Sequence, residues 1–200
     1  MHWSRREFVT GILASSSLPW LSSCQQNNPS GNDSTSGTIA VLFDGLYSPF
    51  WVAGHATILA KLKDLGFAVA EAIGGQDDAK QLTQVRAMIA RGVQGIIIVH
   101  TDSNAVIPAI RAANKAHIPM VHFNRAPAPS DAFSVAVKAD NRRITAETIK
   151  YMVQVARQRG GTYKAAILIG DLGDGNAIAR RDGFFDVIDK HTDKIEVVSR

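Results

Sequence analysis

A chain of 200 residues with 46% apolar and 20% charged side chains, 16 glycines and 7 prolines has the composition of an ordinary globular protein, which excludes disordered, collagen-like and coiled-coil chains. The net charge of +4 arises from 22 basic against 18 acidic residues spread along the chain without a cluster, so nucleic-acid binding is not implied. No stretch approaches the ~20 consecutive apolar residues of a membrane-spanning helix, and a single cysteine, Cys24, excludes an internal disulfide framework and Cys-rich metal sites.

The N-terminus carries the three parts of an export signal. Ser4-Arg5-Arg6-Glu7-Phe8-Val9 precedes a mildly apolar run, 11–21, that ends in Leu21-Ser22-Ser23-Cys24. The paired arginines followed by an aromatic resemble a twin-arginine signal, and Leu-Ser-Ser-Cys resembles a bacterial lipobox, which implies lipid attachment at Cys24 and removal of 1–23. Residues 25–37, almost wholly small and polar, cannot bury a core and read as a flexible tether.

From Thr38 short apolar runs alternate with helix-period segments, the α/β signature. Ile39-Ala40-Val41-Leu42-Phe43 reads as a buried parallel strand, and a helix with Val52, Ala56, Leu59, Leu62 and Leu65 on one face follows, stopped by Gly66. Phe67-Ala68-Val69-Ala70 is the second strand. A helix from Asp77 turns Leu82, Val85, Met88 and Ile89 inward, and Gly95-Ile96-Ile97-Ile98-Val99 is the third strand. Asp102 or Ser103 can cap the next helix, with Val106, Ile110 and Ala113 on its face and Pro108 tolerable only in its first turn. Strand four is Pro119-Met120-Val121-His122-Phe123, and 133–137 is a fifth strand. Asp140 and Asn141 offer a cap to a longer helix whose face is Ile144, Thr148, Tyr151, Met152 and Val155, ended by Gly160-Gly161. A sixth strand at 164–169 leads through Gly170-Asp171-Leu172-Gly173-Asp174-Gly175-Asn176 into another helix, and Ile195 opens a seventh strand.

Several stretches in this order carry a family resemblance: Tyr47-Ser48-Pro49-Phe50-Trp51, Thr101-Asp102-Ser103, Ala116-His117-Ile118-Pro119, Asn124-Arg125 and Ala139-Asp140-Asn141. From residue 38 to 200 the chain resembles the type I periplasmic sugar-binding proteins of the ribose-binding group. The resemblance implies a doubly wound parallel α/β fold with one complete N-terminal lobe, 38–140, and a partial C-terminal lobe, 141–200, with a hinge at Asp140 and Asn141. Two strands and two helices leave that second lobe with open edges, so 38–137 is expected to fold as a unit, the portion after Asn141 to be loosely held, and the chain to be a truncated or split product that binds ligand weakly or not at all.

The resemblance also implies ligand contacts at Ser48, Phe50, Trp51, Asp102, Asn124 and Arg125, with a further polar contact from Asn176 or else Asp171. All but Asn176 follow strand ends, where open α/β sheets bind ligands. A sugar offers apolar faces to Phe50 and Trp51, and hydroxyls to the fork of Arg125 and the amide of Asn124. Two positions depart from the family pattern. Asn124 stands where aspartate is usual, and Ile178 where a ligand-binding arginine is common.

No catalytic or cofactor signal competes. Gly173-Asp174-Gly175 opens a helix after a strand but matches neither dinucleotide nor P-loop spacing, no G-x-S-x-G elbow is present, and His55, His117 and His122 lack metal-ligand spacing and read as core or surface residues. The expected function is the solute-binding component of a bacterial ABC sugar-uptake system. Its expected partners are a monosaccharide-like ligand and a membrane permease, and it needs no cofactor, metal or nucleic acid. The same domain would serve a sensory module that presents the bound sugar to a membrane receptor, and the sequence leaves both readings open.

Overall fold

The apolar runs become two parallel sheets. The computed structural model describes residues 36–199, so the expected export signal, Cys24 and nearly all of the expected tether lie outside the described residues. In chain order the elements are β1 (Thr38–Phe43), α1 (Pro49–Asp64), β2 (Ala68–Ile73), α2 (Asp78–Ala90), β3 (Gly95–Ile98), α3 (Ile107–Lys115), β4 (Met120–Phe123), β5 (Val135–Val137), α4 (Asn141–Arg159), β6 (Tyr163–Ala166), α5 (Gly175–Ile188) and β7 (Ile195–Ser199). The first sheet has five strands in the order β2-β1-β3-β4-β5, and the second pairs β6 with β7. Every pairing is parallel.

Burial on both faces explains why β1 is apolar without alternation. Ala40 and Leu42 pack with Val85, Met88, Ile110 and Ala113 of α2 and α3. Val41 and Phe43 face the opposite way, onto Leu62, Ile58 and Trp51 of α1. Each of these large side chains stabilises the fold by roughly 1.5–3 kcal/mol on burial. A separate cluster joins Ile149, Val153 and Ala156 of α4, Val187 and Ile188 of α5, and Ile195 of β7. Here Gly183 of α5 lies so near the Arg142 backbone of α4 that a Cβ would overlap the Arg142 carbonyl, and glycine is the residue that permits this approach.

Two expected helix faces are displaced. On α1 the inward side chains are Trp51, Ile58, Leu59 and Leu62, while Val52 and Leu65 are 50% and 53% exposed. The indole buries far more apolar area than a valine and decides the rotation of the helix. On α4 the packed residues are Ile149, Val153 and Ala156. Ile144, Tyr151 and Met152 are exposed. This helix is apolar on two adjoining sides, and the smaller residues face the close-packed α5.

Smaller differences have local causes. α3 begins at Ile107, so Asp102 caps the turn before it, accepting from the N–H groups of Asn104 at 2.7 Å and Ala105 at 2.8 Å. Pro108 falls in the first turn of α3, where its missing N–H is harmless. β5 and β6 are shorter than the apolar runs suggest. Phe133 is exposed and β5 has no buried residue, and pairing of β6 with β7 shifts register between Ala165 and Ala166.

Candidate functional site

Strand order places the site. The helices that follow β1 and β3 lie on opposite faces of the five-stranded sheet, so a crevice opens beyond the carboxyl ends of these neighbouring strands. Asp44 is the first residue past β1 and His100 lies just past β3. Both are buried.

Arg125, two residues past β4, reaches across this point. Its Nη1 donates to Asp44 Oδ2 at 2.6 Å and to the His100 carbonyl at 2.6 Å. Its Nε lies 3.1 Å from Asp174 Oδ2, an ion pair outside hydrogen-bonding geometry. The guanidinium carbon sits 5.1 Å from the centre of the Trp51 ring, within cation–π range. Sequence reasoning treats Arg125 as a free fork aimed at a ligand, whereas the structure commits much of it to protein partners. With side-chain exposures of 14% for Arg125 and 3% for Asp44, this is a buried pair, and removing one member costs ~3–5 kcal/mol by leaving the other charge uncompensated.

The two aromatic residues expected at the site lie together at this edge. Trp51 meets the Phe43 ring edge-on at 6.3 Å, and Phe50 meets Trp51 edge-on at 4.9 Å. Phe50 also stacks on Phe123 at 6.3 Å, yet is 56% exposed and presents ring surface to solvent. Ser48 is the N-cap residue of α1 but makes no side-chain cap bond. Asn124 adopts the left-handed conformation, φ 67, which asparagine tolerates better than most residues. Its N–H donates to the Val137 carbonyl at 2.7 Å.

The second sheet's connections close on this edge. Asn176 is 5% exposed. Its Nδ2 donates to the Asn124 carbonyl at 3.1 Å and its Oδ1 accepts from Asn141 Nδ2 at 2.9 Å. The expected polar residue of α5 thus joins the expected hinge residue to the β4 loop. Asp140 caps α4 by accepting from the Arg143 N–H at 3.0 Å. Ser103 binds the turn before α5, donating its N–H to the Gly173 carbonyl at 3.0 Å and accepting at Oγ from the Gly175 N–H at 3.1 Å. A cavity of about 220 Å³ beside these contacts is lined by Ser103, Lys138, Asn176 and Ile178 among others. At the Ile178 position an aliphatic side chain therefore faces open space.

Sequence reasoning missed Asp44, Asp174 and a histidine pair. His100 and His122 touch through Nδ1 atoms 3.1 Å apart. Both are fully buried and neither Nε2 has a hydrogen-bond partner. One ring must donate at Nδ1 and the other accept, and burial keeps both rings neutral near neutral pH. Burial, then the charges of His122 and Arg125, pushes His100 down to about 3, against weaker opposition from the Ala126 backbone and Asp102. Burial brings His122 down to about 4. The signal for Asp44 was present, since it directly follows the apolar run of β1. The partnership of His100 with His122 depends on the register that sets Ile98 beside His122.

Fold and site together define a class, an open α/β lobe that gathers aromatic, amide and guanidinium groups at its strand ends, with a second α/β unit docked there. Residues 39–200 match the family model described as periplasmic binding protein domain, and the chain belongs to that family. The ribose import binding protein of Haemophilus influenzae is 29% identical over 165 residues, 81% of this chain and 54% of that protein. The D-apiose import binding protein of Paraburkholderia graminis is 29% identical over 163 residues, 80% of this chain and 50% of that protein. An ABC transporter solute-binding protein from Mycobacterium smegmatis, solved with bound glycerol, superposes with a TM-score of 0.70 at 28% identity, covering 82% of this chain and 55% of that one. The chain spans about half the length of the curated relatives it matches.

The histidine pair sets a pH dependence. Both folded-state values lie below the ordinary 6.5. Below that pH the unfolded chain takes up protons that the folded chain refuses, so stability falls on acidification by up to ~1.4 kcal/mol per pH unit for each ring. Urea unfolding from about pH 6 to about pH 4 is expected to show this loss, with a shallower slope in a His100→Asn, His122→Asn variant. Equal slopes in the two proteins would contradict it.

Proposed function

We propose that the chain supplies the ligand-gripping lobe of an exported solute-binding protein that captures a monosaccharide-like polyol and delivers it to an ABC permease. The observation that carries this reading is the arrangement at the β1/β3 switch point, where Arg125 is fixed between Asp44 and the Trp51 face while Phe50 remains exposed. Flat rings suit the apolar faces of a sugar, and a guanidinium fixed in place meets hydroxyls at little further entropic cost. The names of the two curated relatives, which import ribose and D-apiose, point to the same ligand class.

On this reading Phe50 and Trp51 stack on the ligand. Arg125, Asn124 and Ser48 meet its hydroxyls. Asp102 and Asn176 hold the loops that present them, and Asp140 and Asn141 form the hinge. A ligand touching both α/β units would favour their closed arrangement through its differential contacts, and the permease would read that arrangement. The role is binding without chemical conversion. Lipid attachment at Cys24 would keep the protein at the outer face of the membrane, with 25–37 as its tether.

Two experiments test these proposals. Arg125→Lys keeps the charge and loses the planar fork. Titration calorimetry with D-ribose, D-apiose and related monosaccharides is expected to show binding weakened by ~2 kcal/mol or more, and affinity equal to the wild type would remove Arg125 from the site. Cys24→Ala is expected to move the protein from the membrane to the soluble periplasmic fraction. A wild-type protein that is already soluble, with no lipid in its mature mass, would contradict the anchor.

A further inference from the structure

Charges that are scattered along the sequence are gathered by the fold. Parallel strands need crossover helices that run back against them, so α1, α2 and α3 all end beside the strand N-termini, at the end of the five-stranded sheet opposite the cleft. Backbone bonds tie these ends together. Ser36 donates to the Gly66 carbonyl past α1 at 2.8 Å, Gln94 past α2 donates to the Thr38 carbonyl at 2.8 Å, and Ile96 of β3 donates to the Pro119 carbonyl past α3 at 3.0 Å. Lys61 and Lys63 stand in the last turn of α1, Arg91 is the C-cap residue of α2, and Lys115 stands in the last turn of α3. All four are exposed. Apart from a long contact of Arg91 Nη1 with Met88 Sδ at 3.9 Å, none of their side chains has a hydrogen-bond or ion-pair partner among the described residues. Nearby carboxylates do not offset them. Asp64, the last residue of α1, is one charge against four, and Asp131 is taken by Arg111 at 2.7 Å.

The cleft end has the opposite sign. Asp77 and Asp78 open α2, Asp102 caps the turn before α3 and Asp140 caps α4, against Lys80 and Lys138. Each cation complements the helix end it sits on, and because the sheet is parallel those ends share one side, so the lobe is polarised and is positive where residue 36 enters it. Residues 25–35 join that same end to Cys24, and a flexible polar chain of this length spans roughly 20 Å on average. Resting on the reading of Cys24 as a lipid anchor, we propose that the end formed by Lys61, Lys63, Arg91 and Lys115 is a docking surface for a bilayer rich in anionic phospholipid, its cations meeting headgroup phosphates. An anionic bilayer attracts basic side chains that come within a Debye length of it, and the tether raises the local concentration of this surface at the membrane. Docked in this way, the protein holds its cleft away from the bilayer and open to solute, while the headgroups repel its acidic end. A nucleic acid would meet the same charges, but the departure of the tether from this end singles out the membrane.

Co-sedimentation with vesicles tests the surface apart from the anchor. The mature chain, 24–200, carries Cys24→Ala so that no lipid is attached, and it retains the whole compact unit, 34–200. Vesicles of phosphatidylcholine alone are compared with vesicles of equal parts phosphatidylcholine and phosphatidylglycerol. Binding is expected to the anionic vesicles only, and to fall as salt rises. Replacing Lys61, Lys63, Arg91 and Lys115 together by glutamine is expected to weaken it by about tenfold or more. Removing the same charge from the second unit, by glutamine at Arg143, Arg159, Lys164 and Lys190, is expected to leave most of the binding in place. Should the first of these variants not fold, Lys61→Gln, Lys63→Gln is read against Arg143→Gln, Arg159→Gln. Equal binding to neutral vesicles, no binding to either kind, or equal losses in the two sets of variants would overturn the inference. None of these results touches the anchor, whose failure is read separately, from a mature mass without lipid.

Discussion

A guanidinium buried to the depth of Arg125 must be paired, and its pairing organises the rest of the structure. Asp44 comes from the end of β1, the His100 carbonyl from the end of β3, Trp51 from the first turn of α1 and Asp174 from the cap of α5. The stretch 44–51, His100 and Asp174, remote from one another in sequence, are thereby required to meet at one point. The parallel sheet makes this possible, because its strands all end on the same side and the switch between β1 and β3 leaves the gap that the side chain fills. The docking of the second α/β unit uses the same edge, through Asp174, Ser103 and Asn176.

The strands and their parallel class were legible in the sequence because burial on both faces leaves a continuous apolar run, as in Ile39-Ala40-Val41-Leu42-Phe43. That the candidate site residues gather at one edge was legible for the related reason that loops after such runs share one side of the sheet. Helix rotation was less so. On α1, Val52 and Trp51 compete for one buried direction, and on α4 two adjoining sides are apolar, so periodicity alone does not choose between them. Gly183 chooses on α4, through a contact 41 positions away in sequence, counted from Arg142. The partners of Arg125 were hidden for the same reason, since Asp44 lies 81 positions from it and nothing local announces the pair.

The C-terminal unit is held differently from the sheet before it. β1 pairs on both sides and is buried over most of its length, whereas β6 pairs only with β7 among the described residues and has no buried residue. Leu168 is fully exposed, and Tyr151, Met152 and Val198 are also exposed. Parallel sheets are stable with helices on both faces, so this unit relies on the α4–α5 contact and on its bonds to the strand-end loops. Coupling between the site and the fold is therefore strongest where Asn141, Asn176 and Asn124 join in one chain of amides and carbonyl.

The central claim is that Arg125 and Asp44 form one energetic unit beneath the cleft, and a double-mutant cycle on stability measures it most directly. Arg125→Met alone leaves Asp44 buried and unpaired, Asp44→Asn alone leaves Arg125 with Asp174 as its one carboxylate beside the His100 carbonyl, and the double variant removes both problems. Urea unfolding is expected to show that the single losses exceed the double loss, with a coupling of ~1.5 kcal/mol or more. Losses that simply add would show that the two side chains are neighbours without being partners.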